Sequence, residues 1–504
     1  MSASIVNCCD CKEGKNALAF AKANGFDVYP QSVNCCNGSC AFMIREKNAD
    51  SLIVIGDIAK DFEGEWIACK GAFAKKAPLT HGNAAALKKY FPFTAPIRVL
   101  GKMRSFGLGD RLGIATPGHI RLFKEYDAYP VFAQQSIREL NLTNRNYAEV
   151  LDVAAFYAFR EGYKTGYGAD GDHLKTEEDI EYALSLGFTM LTLDCSEHIV
   201  GGVEEMSAEE VDKKVALNDE YKLRYLGKKF DLEGEILEYS EDDLKRCVLI
   251  YEDAVAYATH IYKKYLASGR YDCDFEISID ETATPTTPAQ HYFVANELAE
   301  NGVPVQTVAP RFCGEFQKGI DYIGDVAQFE KELKIHAAIA RRFGYKLSIH
   351  SGSDKFATFR LIGKYTKGNF HVKTAGTNWL EAMRAIAKID PSLYRSVHKH
   401  ALARFADAAK FYHVTTDLNK IPDVDTLSDA EIPDLFNNND ARQLIHITYG
   451  YILNDKDETG RYLFRERLFK LWRENEEVYA EMLYNHIGKH LALLYEGFGG
   501  GIIK

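Results

Sequence analysis

Apolar and polar positions alternate with a period of two in several short stretches that run into polar, chemically capable ends. In Phe275–Thr282 (FEISIDET), Glu276, Ser278 and Asp280 share one face and Phe275, Ile277 and Ile279 the other. Ser348 and His350 oppose Leu347 and Ile349 in Leu347–Lys355, and His371 and Lys373 share a face in Phe370–Asn378. This is the period of a β-strand. A fourth stretch, Gly166–Lys175 (GYGADGDHLK), alternates poorly and is a strand by its position. Strands of a parallel barrel have one face under helices and one toward the axis, with chemistry at their C-terminal ends. Carboxylates, histidines and a lysine on the inner face are too costly to bury without a role.

Eight strand candidates follow one another after residue 95: Val99–Arg111, Val131–Gln135, Tyr163–His173, Met190–Cys195, Phe275–Thr282, Val305–Phe312, and the two strands carrying His350 and His371. Helical periodicity at Tyr147–Glu161, Thr176–Leu186 and Asp325–Phe343 separates several of them. The alternation predicts an α/β fold, a (β/α)8 TIM-like barrel over 96–395, with a doubly wound sheet as the alternative. Residues 1–95, with a buried strand at Ser51–Asp57 and a Pro-punctuated end at Phe91–Ile97, read as an N-terminal cysteine-containing α/β domain. Residues 396–504 read as a C-terminal helical region. The long polar connection at about 196–240 follows strand four on the catalytic side, where a lid or subunit contact is expected.

Composition narrows the function. A 504-residue chain with 46% hydrophobic and 26% charged residues is globular and too long for one small core. The net charge of −11 disfavours nucleic acid and anionic membranes as partners, and no apolar run spans a bilayer. The cytoplasm is the expected location, a homo-oligomer is admitted, and the expected partner is a small molecule. Six of the eleven cysteines crowd the start (Cys8, Cys9, Cys11, Cys35, Cys36, Cys40). Their vicinal pairs do not form a disulfide framework or a standard zinc finger, so free thiols are expected there, with a metal site as the alternative.

The strand ends supply the candidate chemistry. His173, His350 and His371, on strands three, seven and eight, are candidate ligands for one divalent cation of the Zn, Ni, Mn or Co type, with His198 and Glu315 in reserve. Each alone reads as a histidine bonded to nearby backbone; three at strand ends read as a site. His486 and His490 are four apart, but a packed helix face explains them better than a metal. Asp172 and Glu276 are candidate proton-transfer groups, and Asp172 also suits a role orienting its neighbour His173. Arg111, Arg311, Lys355 and Lys373 offer cations for an anionic or hydroxylated substrate, and Gln134, Gln290 and Asn378 can read hydroxyls. No nucleotide fingerprint is present, so no nucleotide cofactor is expected.

The long motifs GDRLGIATPGHI (Gly109–Ile120), YGADGDHLKTEEDI (Tyr167–Ile180), FEISIDETATPTTPAQHYFVANEL (Phe275–Leu298), APRFCGEFQKGIDYIGD (Ala309–Asp325), IHSGSDKF (Ile349–Phe356), HVKTAGTNWLEAMR (His371–Arg384), ARQLIHITYG (Ala441–Gly450) and HIGKHL (His486–Leu491) resemble the tagaturonate epimerase family. The resemblance covers roughly residues 95–495 and leaves out the cysteine-rich start. It implies a metal-dependent enzyme of hexuronate breakdown that interconverts D-tagaturonate and D-fructuronate; some members act on fructose and tagatose. It also implies His173, His350 and His371 as ligands, Asp172 as proton acceptor and Glu276 as donor. A metal-dependent aldolase or aldose–ketose isomerase on the same barrel, and a non-catalytic carbohydrate-binding regulator, are the alternatives.

Overall fold

The computed structural model describes residues 12–70 and 72–501. Five strands form an N-terminal antiparallel sheet in the order β1-β2-β3-β5-β4: β1 (Asn34–Cys36), β2 (Ser39–Ile44), β3 (Ser51–Ile55), β4 (Glu65–Cys69) and β5 (Ala72–Ala77). β2 (SCAFMI) is buried along its whole length. One face packs on helix Lys12–Ala23 through Ala17, Ala21, Phe42 and Ile44; the other packs on helix His81–Tyr90 and, through Phe156 and Phe159, on a helix of the barrel.

The free-thiol expectation fails for two cysteines here. Asn37 and Gly38 both have positive φ (49° and 74°), as a two-residue hairpin turn between right-twisted strands requires. That turn sets Cys35 directly opposite Cys40, with Cα atoms 4.1 Å apart, and the two form a disulfide. Cys36 carries a free thiol, and Cys8, Cys9 and Cys11 lie outside the described residues.

Eight parallel strands close the predicted barrel: β6 (Arg104–Leu108), β7 (Tyr129–Ser136), β8 (Gly168–Leu174), β9 (Met190–Asp194), β12 (Asp274–Ile279), β13 (Thr307–Pro310), β14 (Lys346–Ile349) and β15 (Phe370–Thr374). Their outward residues, among them Phe106, Leu191, Ile277, Val308 and Val372, join the main core beneath the helices. The inward residues are unusually polar: Thr192, Glu276, Thr307, Ser348 and His371 are all buried.

Two features of the periphery stand out. Residues 196–240 start beside the strand ends, where Glu197 lies 3.7 Å from Lys175. Their hairpin, β10 (Phe230–Leu232) with β11 (Glu235–Leu237), lies against the outer helices: Phe230 packs on Tyr292, and Arg341 pairs with Glu233. The C-terminal helix Glu476–Phe498 packs between helix Phe356–Thr366, after β14, and helix Thr116–Phe123, after β6. It thereby takes the seat of the eighth barrel helix. Gly363 and Gly118 permit the approach, since a Cβ there would lie 2.0 Å from Leu494 O and 2.9 Å from Ala480 O. Helix Gly376–Ile389, which follows β15, instead joins a second core around Trp379, Tyr394, Leu444 and Trp472.

Candidate active site

A cavity of about 420 Å³ opens at the C-terminal ends of the strands. Of the residues singled out from sequence, Asp172, His173, His350, Lys373, Arg111 and Gln134 line it.

Asp172 and His173 are adjacent, so a regular strand would send them to opposite faces. The β8 register shifts between Gly171 and Leu174, and His173 has a φ of 55°, in the sparsely populated left-handed region. This irregularity turns both side chains into the cavity. Asp172 Oδ1 accepts from His173 Nδ1 at 2.7 Å and lies 2.5 Å from Lys373 Nζ. Its second oxygen has no hydrogen bond among the described residues. Burial alone would raise the Asp172 carboxyl, but the Lys373 ammonium and His173 outweigh it and hold it well below the usual carboxylate range.

Lys373 is the hub of the barrel floor. Its ammonium lies 2.7 Å from Asp170 Oδ2, 2.5 Å from Asp172 and 3.2 Å from Glu276, and donates to Thr192 Oγ1 at 2.8 Å. Burial opposes the charge, yet the three carboxylates raise the amine well above its ordinary value. The same balance keeps Asp170, pushed by burial up to about 6, from rising further. Glu276 is fully buried below the cavity and does not line it. Its Oε1 accepts from His350 Nε2 (2.8 Å), Thr192 and Lys373, and its Oε2 from Thr307 Oγ1 (2.6 Å). Burial favours its protonated form, but Lys373 and His350 prevail and hold the carboxyl well below its usual value.

The free ring nitrogens decide what the histidines can hold. His173 Nδ1 is engaged by Asp172, which leaves its Nε2 buried without a partner among the described residues. His350 Nε2 is engaged by Glu276; its Nδ1 lies 2.9 Å from Asp280 Oδ1 but off the direction of a hydrogen bond. Ligand atoms of His173, His350 and Asp280 all lie within 4.8 Å of one another. Burial works against charge on His350, but Asp280 and Glu276 raise it to about 10, so the spot favours positive charge. Two imidazoles and a carboxylate, each imidazole oriented by a carboxylate behind it, fit a divalent transition-metal ion.

His371 does not join this group. β14 and β15 pair with Ser348 opposite His371, which puts His371 one inward layer below His350, about 7 Å down the strand. Its Nδ1 meets Ser105 Oγ at 2.9 Å, and burial lowers it to about 3, so it is a neutral imidazole inside the barrel. Asp280, read from sequence only as part of the polar face of FEISIDET, joins His173 and His350 where the third histidine was expected.

Two of the substrate-binding expectations, Lys355 and Asn378, are likewise corrected. Lys355 Nζ donates to the carbonyls of Gln317, Ile320 and Ser353 away from the cavity; burial lowers it to about 7. Asn378 accepts from His119 Nε2 and donates to Gly109 O. Arg111 reaches the wall, but its Nε donates to Glu139 at 2.9 Å and its guanidinium stacks 3.8 Å from the Tyr449 ring centre. Gln134 lines the cavity with its Oε1 unpartnered.

The remaining candidates lie outside this cavity. Gln290 closes the cap of helix Pro288–Glu300, Arg311 and Glu315 border a neighbouring cleft, and His198 stacks on Tyr257 at 4.0 Å. His486 and His490 converge on Asp354, but His490 accepts from Asp354 N–H and donates to His486 O, so both its nitrogens are engaged.

Sequence reasoning missed the wall supplied by other segments: Arg138, Lys318, Tyr412 and His446. His446 stands in the quoted motif ARQLIHITYG. A Cβ on Gly376 would lie 1.5 Å from its Nε2, so only glycine at the start of the helix after β15 admits this ring.

The family model described as tagaturonate epimerase matches residues 29–494, so the match extends into the N-terminal sheet that the sequence motifs left out. The tagaturonate/fructuronate epimerase of Thermotoga maritima is 42% identical over 477 residues, 93% of this chain and 97% of that protein. The native crystal structure of the fructuronate–tagaturonate epimerase from Cohnella laeviribosi matches with a TM-score of 0.91 and 48% identity, over 96% of this chain and 99% of that one. A one-glycerol complex of the same enzyme matches with the same TM-score and coverage at 49% identity.

Proposed function

Starting from a chain that belongs to the tagaturonate epimerase family, and is therefore an epimerase, we propose that it interconverts D-tagaturonate and D-fructuronate by inversion at C4 through cleavage and re-formation of the C3–C4 bond. The observation that carries the chemistry is the convergence of Asp172, His173, His350 and Asp280 on one cavity.

The hydrogen on C4 is α to neither the C2 ketone nor the carboxylate, so simple enolisation does not reach it. A retro-aldol step does, because it breaks C3–C4 and leaves an enediolate on C2 and C3. His173, His350 and Asp280 would hold a divalent cation, which when bound supplies Lewis acidity toward the ketose oxygens. Asp172 takes the C4 hydroxyl proton through its uncommitted oxygen and returns it when the bond re-forms. Among the three carboxylates around Lys373 it alone lines the cavity. Lys373 presents a fixed ammonium below the substrate, which offsets negative charge developing on the enediolate. Glu276 and Asp170 hold that ammonium, and Glu276 also fixes His350; these contacts support a positioning role for Glu276 in place of proton donation. Three carboxylates around the amine also argue against a covalent imine. Weaker action on fructose or tagatose is a separable part of the proposal, and the hexuronate reading does not depend on it.

The test is epimerisation of tagaturonate in D2O, followed by proton NMR, with the protein as purified and after chelation and metal return. The expected epimer carries no deuterium at C4, because the carbon-bound hydrogen never leaves. Deuterium at C4 would replace the aldol route with direct deprotonation; no epimer under any metal condition would remove the functional reading.

A further inference from the structure

Two cations on the outer wall of the cavity have no part in the chemistry above. Arg138, on helix Ile137–Thr143, and Lys318, after β13, line both the cavity and the adjoining cleft, so they stand where the two meet. The other cations at the cavity are already balanced. Arg111 is paired with Glu139, Lys373 with three carboxylates, and Lys175 with Asp194 and Glu197 at 3.6 and 3.7 Å. The Arg138 guanidinium lies 5.0 Å from the ring centre of Tyr412 and, among the described residues, makes no hydrogen bond or ion pair. Among the described residues, Lys318 Nζ donates only to Ser351 Oγ, at 2.9 Å. One acid on this wall, Glu281, is exposed and makes no hydrogen bond or close ion pair among the described residues, although its charge and that of Glu139 act on Arg138.

We infer that Arg138, backed by Lys318, receives the C6 carboxylate of the hexuronate and makes the site selective for a sugar acid over a neutral ketose. The inference rests on the epimerase reading for the identity of the anion. A guanidinium offers a planar fork that fits a carboxylate through two parallel hydrogen bonds, and an aromatic face beside it limits its orientations. His350, Asp280 and Ser351 line the same junction, so an anion held there leaves the rest of a six-carbon chain beside the ligand group and Asp172. Glu281, exposed and held by no hydrogen bond among the described residues, can turn toward solvent as the substrate carboxylate displaces it from Arg138.

Calorimetric titration with tagaturonate and with D-tagatose, alongside tagaturonate turnover, tests this on wild type, Arg138→Met, Lys318→Met and Arg138→Lys. Arg138→Met is expected to weaken tagaturonate binding and raise KM about 10- to 100-fold, the range for losing a hydrogen bond to a charged group, with kcat within about threefold. Arg138→Lys should recover part of the loss, since it restores charge without the fork, and Lys318→Met should show a smaller loss. D-tagatose affinity should move less than about twofold; no binding of D-tagatose by wild type would show the same carboxylate dependence directly. Arg138 is exposed, so the melting temperature should hold. Tagaturonate affinity unchanged in both Met variants, or an equal loss for D-tagatose, overturns the inference while leaving an active wild type as an epimerase. Wild type that binds tagaturonate without turnover, with the Arg138 effect intact, removes the epimerase reading alone. Wild type that does not bind tagaturonate removes both.

Discussion

At the scale of single residues, the imidazole nitrogens separate the two kinds of histidine in this barrel. His173→Ala and His350→Ala should each lower bound divalent metal, measured by elemental analysis of the purified protein, and nearly abolish epimerisation. His371→Ala should keep its metal, because its ring lies a layer lower on Ser105. Equal loss of metal in all three variants would restore the three-histidine set read from sequence. Asp172→Asn keeps shape but removes the proton acceptor, and kcat should fall about 10²- to 10⁴-fold with little change in fold. Glu276→Gln should lower metal content as well as rate, since the group it fixes is His350; a rate loss with metal content unchanged would favour the proton-donor role.

At the scale of elements, much of the architecture was written in hydrophobic periodicity. FEISIDET, LSIH and FHVKT alternate cleanly, and each forms a barrel strand with its polar face inward. Periodicity gives the face of a residue but not its height, and height depends on how neighbouring strands pair. The Ser348–His371 pairing therefore sets His371 below the cluster of His173, His350 and Asp280, although on the expected face. The irregular end of β8 was equally hidden, since nothing in GADGDHL announces a left-handed residue at His173. Lys355 and Asn378 follow strands correctly identified, yet each turns away to satisfy backbone carbonyls or a neighbouring ring. Asp354, also left-handed, pins the loop after β14 to the C-terminal helices through Arg442 and His486. Asp354→Ala would strand a buried guanidinium, and urea denaturation should show a loss of roughly 3–5 kcal/mol.

At the scale of the whole molecule, buried histidines set a limit on acid tolerance. Tyr345 OH donates to His291 Nε2 at 2.6 Å, and His291 Nδ1 meets His336 Nδ1 at 2.9 Å between two outer helices. Burial lowers both, His336 to about 3, so the folded protein holds them neutral. The unfolded chain binds their protons below about pH 6.5, so stability is full above that pH and is lost as pH falls through it. For each, the slope approaches about 1.4 kcal/mol per pH unit only well below pH 6.5 and amounts to about 1.4 kcal/mol in all between pH 7.5 and 5.5, and urea midpoints measured over that range should fall accordingly. His336→Phe should flatten that fall; an unchanged slope would assign the acid sensitivity to other groups.

The seat taken by helix Glu476–Phe498 carries a consequence for how the molecule comes into being. A chain emerging from the ribosome releases all eight barrel strands well before the segment that completes their outer ring. Until then Phe359, Ile362 and Phe106 face water where Ile487, Leu491 and Leu494 will lie. The nascent barrel is therefore expected to expose an apolar flank until the last helix is released. Ribosomes stalled near codon 470 should display a protease-sensitive chain, and release of the last helix should convert it to a resistant one.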